Sequence, residues 1–360
     1  MLGVIQLKKM WRPVKVGTMN LPHRLAMAPM TRNRAEVDGT PGDLADLYYS
    51  QRASMGLIIT EGAQPSDDGQ GYVLSPGIYK KNHIDGWKKV TDAVHAKGGY
   101  IYIQLMHAGR MSHPDNTPHH RQGVAPSAIA PGVEIFTAKG MQDVPVPREL
   151  SEEEIQTTIA DFRKAAAAAI EAGADGVEIH GANGYLIHQF IADNANNRTD
   201  KYGGSAANRA RFAIEVAAAV ADEIGEDRTG FRISPGNLPY IGIDEGEHGL
   251  NVYRQLIPEL AKLKLAYLHV MHKENDDFLK EIRNLWSGSL LVNRFGRPLE
   301  NIDIDIEAGL ADVAPVGTWA LANPDLIERL KKGASLNEPD RTTFFGGDSK
   351  GYTDYPTLDN

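Results

Sequence analysis

Neutral hydrogen-bonding side chains recur in one kind of place in this 360-residue chain: at the ends of short apolar runs. His180-Gly181-Ala182-Asn183-Gly184-Tyr185 puts an imidazole, a carboxamide and a phenol within six residues. Gln104 stands near the end of another run, in Gln104-Leu105-Met106-His107-Ala108-Gly109-Arg110. Thr31 follows a third, in Pro29-Met30-Thr31-Arg32, Thr60-Glu61-Gly62 closes a fourth, and Arg232 lies inside a fifth. Two glycine-containing turns, Asn293-Arg294-Phe295-Gly296 and Gly317-Thr318, complete the set. No carboxylate pair stands out, so glycoside hydrolysis has little support. No lysine is placed as a Schiff-base nucleophile. Glycine turns after the last strands of a barrel bind phosphate through backbone N–H groups. The set therefore points to a phosphate-bearing cofactor or substrate.

Taken singly, each residue also has a structural reading. His180 alone is more often a core histidine. Asn183 suits turn chemistry, Tyr185 suits packing, and Arg232 suits a buried ion pair. His113, His119 and His120 have metal-like spacing, but Pro114, Asp115 and Pro118 mark an exposed loop, and no metal site is expected there.

The elements that must position these residues alternate along the chain. Strands are expected at Arg24–Met30, Gly56–Gly62, Tyr100–Met106, Gly176–Gly181, Thr229–Pro235, Tyr267–Met271, Ser289–Phe295 and Asp312–Thr318. Most are continuous apolar runs, as strands buried on both faces should be. Helices are expected between them at Asp43–Met55, Asp85–Lys97, Ser151–Ala172, Ala206–Gly225, Leu250–Lys264, Asp276–Trp286 and Pro324–Lys332. Ser151 and Glu154 form a capping-box signature. Eightfold alternation predicts an α/β fold, a (β/α)8 TIM barrel. A doubly wound sheet needs fewer units, and no G-x-G-x-x-G follows a strand. Residues 107–150 are too many for a plain loop. They are expected to be an inserted segment capping the barrel mouth, within one domain spanning residues 1–360. The tail from Ser335 is expected to wrap over the same barrel.

Composition narrows the function. The charge of −9 and the scattered basic residues argue against nucleic-acid or membrane-surface binding. With no cysteine, disulfides, thiolate catalysis, zinc–cysteine sites and iron–sulfur clusters are excluded. The apolar run in Met1–Lys9 is too short for a signal peptide, and no stretch reaches the ~20 apolar residues of a membrane helix. A cytoplasmic protein is the expectation.

Longer motifs then carry a resemblance. They are Ala28-Pro29-Met30-Thr31-Arg32, Tyr48-Tyr49-Ser50-Gln51-Arg52-Ala53, the Gln104–Arg110 segment above, the His180–Tyr185 segment continued through Leu186-Ile187-His188-Gln189-Phe190, and Arg198-Thr199-Asp200-Lys201-Tyr202-Gly203-Gly204-Ser205. Ala322-Asn323-Pro324-Asp325-Leu326 and Gly351-Tyr352-Thr353-Asp354-Tyr355-Pro356 follow. In this order they resemble the old yellow enzyme family of FMN-dependent ene-reductases, from Trp11 to Leu358. The lack of cysteine resembles the branch without a flavin-tuning cysteine.

That resemblance implies tightly bound, non-covalent FMN at the barrel mouth and a ping-pong reaction. NADPH or NADH reduces the flavin. An electron-poor alkene, such as an α,β-unsaturated carbonyl or nitro compound, then receives hydride from flavin N5 at its β carbon. It implies that His180 and Asn183 bind the substrate oxygen and that Tyr185 protonates the α carbon. Tyr72 and Met106 are implied as substrate neighbours. Pro29, Thr31, Gly62, Gln104, Arg232, Phe295, Gly296, Gly317 and Thr318 are implied as cofactor contacts. The family includes monomers and homo-oligomers, so association with further copies is left open.

Two departures stand out. Gly317-Thr318 replaces the usual Gly-Arg that helps hold the FMN phosphate, and Arg294 or Arg297 is expected to supply the missing charge. Met106 stands where many members have Trp, which should soften the pocket. The alternatives are a flavin-free barrel lyase or isomerase using the same phosphate turns, and a barrel that binds FMN or a ligand without turnover.

Overall fold

The computed structural model describes residues 8–273 and 275–359. The leader reading of the first residues lies outside that range, except for Lys8 and Lys9. Eight parallel strands form the barrel: β1 (Leu25–Met27), β2 (Leu57–Ala63), β3 (Ile101–Leu105), β4 (Gly176–His180), β5 (Thr229–Ile233), β6 (Tyr267–His272), β7 (Leu290–Arg294) and β8 (Ala314–Val316). They pair in the order β7-β6-β5-β4-β3-β2-β1-β8. A parallel bridge between Leu291 and Val313 closes the ring. Each predicted strand has its counterpart. The eighth is shorter than predicted, because Thr318 instead opens a short helix, Thr318–Ala322.

Period-two alternation sorts each strand into two faces. Ile103, Ile179, Phe231 and Val270 point outward and pack in the core shared with the helices. Ala26, Leu57, Tyr102, Tyr267, Leu291 and Val313 fill the lower interior. There they meet Val16, Met19 and Leu21 of a hairpin formed by Val14–Val16 and Met19–Leu21. The barrel is thus plugged at its N-terminal end and can open only at the other.

Outer helices behave as their sequences dictate. The helix Glu152–Glu171 starts from the predicted capping box: Ser151 Oγ accepts from Glu154 N–H at 3.1 Å, and Glu154 Oε2 accepts from Ser151 N–H at 2.9 Å. Such a cap contributes about 1 kcal/mol. In residues 107–150, the strands Glu134–Thr137 and Gly140–Asp143 form an antiparallel hairpin. Its Ile135 packs with Met111, Val144, Leu238 and Ile241 above the barrel mouth. The tail is pinned from β1's end: Arg32 donates to Phe344 O at 2.9 Å and Gly351 O at 2.7 Å, and Arg34 donates to Thr343 O at 2.9 Å.

Candidate active site

The upper barrel interior is polar. Glu178, on the same face of β4 as His180, is fully buried. It accepts from Gln104 Nε2 at 2.8 Å, Tyr267 O–H at 2.9 Å and His269 Nδ1 at 2.8 Å. Burial works to raise the Glu178 carboxyl, but His269 and Arg232 beside it and these donors hold it below the usual carboxylate range. Burial pushes the His269 imidazole down, and a neutral ring suffices to donate from Nδ1.

Arg232 is the neighbour of His180 in the β4–β5 register and is buried with it. One of its terminal nitrogens reaches Asn293 Oδ1 at 3.5 Å, and its Nε has no partner. An unmade hydrogen bond on a buried donor costs about 1–3 kcal/mol, more on a charged one. This guanidinium therefore suits a bound acceptor or anion. His180 Nδ1 is also buried without a partner. Burial, then the Arg232 charge, pushes the His180 imidazole well below its ordinary range, so it works as a neutral ring.

Beyond β4 the backbone turns sharply. Asn183 sits at φ 56°, a left-handed conformation asparagine tolerates better than most residues. Gly184 follows at φ 82°, where a Cβ would lie 2.6 Å from Ile241 Cγ2. The turn is fixed by Ser234 Oγ, which accepts from Asn183 N–H at 2.8 Å. It delivers Tyr185 with its ring 5.3 Å from that of His180 and its hydroxyl 2.8 Å from that of Tyr72. Burial pushes both phenols above their ordinary value, so both remain protonated at neutral pH.

Tyr72 and Tyr185 face a cavity of about 870 Å³. Met30, Thr31 and Thr318 share its lining. Thus Thr31, Tyr72, Tyr185 and Thr318 meet at one cavity, while His180, Gln104 and Arg232 lie buried in the barrel top. Pro29 is half-buried just before Thr31. Met106 packs on Gly62, where an added Cβ would lie 2.6 Å from its sulfur and 2.8 Å from its Cβ.

The turn after β7 stands apart from the cavity, whereas that after β8 reaches it through Thr318. Phe295 is 71% exposed, Gly296 is exposed, and neither joins the cavity lining. Arg294 contacts both carboxylate oxygens of Asp305 at 2.8 Å and Asp276 at 2.6 Å. Arg297 reaches the same Asp305 at 2.9 Å. Neither arginine offers the free charge expected of it, since two carboxylates already neutralise the pair.

Sequence reasoning missed several parts. Glu178 carried a signal, an acid two residues before His180 on one strand face. Glu134, Tyr240, Phe344 and Phe345 also line the cavity, and only tertiary structure brings these segments there. The three loop histidines make separate contacts: His113 with Asp115 N–H, His119 with Asp67 O, and His120 with Pro114 O.

A largely apolar cavity at the barrel mouth, with a buried guanidinium bearing an unmade bond in the barrel top, fits a planar group that gains negative charge on reduction. That is the class of flavin-dependent barrel oxidoreductases. Comparison with known proteins agrees. Residues 9–337 match the NADH:flavin oxidoreductase / NADH oxidase family. A probable flavin mononucleotide-dependent alkene reductase of Leishmania infantum is 42% identical, the match covering 97% of each chain. Morphinone reductase, solved in complex with tetrahydroNAD, is 42% identical with TM-score 0.91, covering 98% of both chains. The old yellow enzyme homologue from Zymomonas mobilis is 36% identical with TM-score 0.93, covering 97% of this chain and 100% of that one. The chain belongs to this family, that of old yellow enzyme. It is an FMN-dependent oxidoreductase that uses a reduced nicotinamide, and the flavin-free lyase reading falls away.

Proposed function

We propose that this enzyme reduces the C=C bond of α,β-unsaturated carbonyl and nitro compounds by a ping-pong cycle. The observation that carries this reading is the turn placing Tyr185 beside His180 at the cavity that Thr31 also lines. FMN, when bound, supplies hydride chemistry, accepting two electrons from the nicotinamide and delivering them to carbon. Thr31, Gly62, Gln104 and Arg232 would hold its ring system at the barrel mouth, and the fixed Arg232 charge favours its reduced, anionic form. The turns at Gly296 and Gly317-Thr318 would meet its phosphate by backbone N–H groups.

His180 and Asn183 hold the substrate oxygen. Two neutral donors aimed at a developing enolate act as an oxyanion hole, each contributing about 3 kcal/mol to the barrier reduction. Tyr185 gives its proton to the α carbon; a protonated phenol is a suitable acid for an enolate. Met106 and Tyr72 shape the substrate space. The cavity that Tyr72 and Tyr185 line would take donor and alkene in turn.

NADH is the donor this mouth favours. Among the described residues that line the cavity, the only charged side chain is the carboxylate of Glu134. It repels the extra phosphate of NADPH. The morphinone reductase complex, with its tetrahydroNAD, is consistent with that choice.

The test is an anaerobic titration of the purified holoenzyme. NADH should bleach the flavin absorbance, and 2-cyclohexenone should restore it. Bleaching without restoration by any enone or nitroalkene would leave a flavin-binding barrel without this turnover.

A further inference from the structure

We propose that Tyr72 is a proton relay, passing a solvent-derived proton to Tyr185 in the same step in which Tyr185 protonates the substrate. The inference rests on the reading of Tyr185 as proton donor.

The geometry is direct. The two hydroxyl oxygens are 2.8 Å apart, with the rings edge to face at 6.1 Å and 89°. Among the described residues, neither hydroxyl makes any other hydrogen bond. A phenol that directs its own proton at a substrate carbon must use its oxygen as the acceptor. Tyr72 O–H is therefore the donor and Tyr185 oxygen the acceptor in the reactive arrangement. Tyr185 is held against His180, Tyr72 stands on the loop beyond β2, and both half-buried rings line the open cavity.

The step balances. The β carbon has received hydride. The Tyr185 O–H bond breaks, its proton forms the new C–H bond at the α carbon, and the electron pair stays on the Tyr185 oxygen. The Tyr72 O–H bond breaks as its proton crosses to that oxygen. Water in the cavity then protonates Tyr72, leaving hydroxide that bulk buffer neutralises. Without the relay, a bare phenolate would be left in an apolar enclosure, which is costly. With it, the charge passes to Tyr72, a group of the same chemistry, so the transfer is close to thermoneutral.

The relay predicts two protons in flight. The measurement is stopped-flow reoxidation of the NADH-reduced holoenzyme by 2-cyclohexenone in H2O–D2O mixtures, on the parent, Tyr72→Phe, Tyr185→Phe and the double variant. A bowed proton inventory is expected for the parent. Tyr72→Phe should slow reoxidation about tenfold or more and make the inventory linear, and the double variant should be no slower than Tyr185→Phe. A linear parental inventory, a Tyr72→Phe variant matching the parent in rate and isotope effect, or multiplying effects in the double variant would each overturn the relay. Parental reoxidation by Tyr185→Phe would remove the donor reading and the relay together. A slow Tyr185→Phe beside a parental Tyr72→Phe removes the relay alone.

Discussion

His188 Nε2 lies 2.7 Å from Glu245 Oε1, both side chains buried beneath the turn that presents Asn183 and Tyr185. Gly184 N–H donates to His188 Nδ1 at 2.9 Å, so the imidazole carries its proton on Nε2, toward the carboxylate. Glu245 also accepts from Tyr253 O–H at 2.6 Å and from Gly236 N–H at 2.9 Å. Glu245→Ala leaves two buried donors and one part-buried donor without this acceptor and should cost about 3 kcal/mol or more of stability. Glu245→Gln keeps an acceptor oxygen and should cost less. Urea unfolding checks both, and alkene-dependent kcat should fall in the same order.

Asp305 neutralises the arginines of the β7 turn. Asp305→Asn should therefore tighten FMN by about threefold to tenfold, the scale of one partly exposed charge pair, and steepen the salt dependence of binding. The Arg294→Ala, Arg297→Ala double variant should hold FMN nearly as tightly as the parent. Fluorescence quenching of FMN by apoprotein gives both affinities. Weaker binding by Asp305→Asn would mean that the acid aims the arginines rather than masking them.

Glu134→Arg reverses the charge at the cavity mouth. The ratio of kcat/KM for NADPH over NADH should rise by about tenfold at low salt, and less at high salt, as a screened surface charge requires. Steady-state kinetics with both donors decides it; an unchanged ratio would place donor selection elsewhere.

Burial raises the Glu61 carboxyl to about 7, despite the Arg32 N–H and the Tyr49 hydroxyl beside it. The folded protein thus holds this proton more tightly than the unfolded chain, whose carboxyl titrates near 4.5. Glu61's contribution to stability is complete below that value and is lost as pH rises through 7, a change of order 3 kcal/mol. Glu61→Gln should flatten the fall of stability between pH 5 and 8 in urea titrations. His180 and Tyr185 stay neutral across that window, so neither should add a limb to the pH–rate profile there.

The barrel was legible because buried parallel strands advertise themselves. Runs such as Leu57–Ala63 and Ile101–Leu105 are mostly apolar and wholly buried, and helices such as Glu152–Glu171 and Ala206–Ile224 carry their own serine caps. The His180–Tyr185 turn was legible because its residue types are unusual at a strand end. What stayed hidden depends on distant partners. Nothing local in Arg294 shows that Asp305 will claim it, and nothing local in Phe345 places it beside Tyr72's cavity. Thr318 looked like the end of a strand because an apolar run leads to it, yet the chain turns into a helix there.

The clamp between Arg32 and Gly351 joins positions 319 residues apart in sequence. The segment it holds brings Phe344 and Phe345 to the cavity wall. Contacts of such separation form late and slowly in folding. The catalytic chamber is therefore finished only when the last part of the polypeptide returns to the first barrel strand. The rate at which FMN is captured during refolding should report that final docking event rather than assembly of the barrel itself.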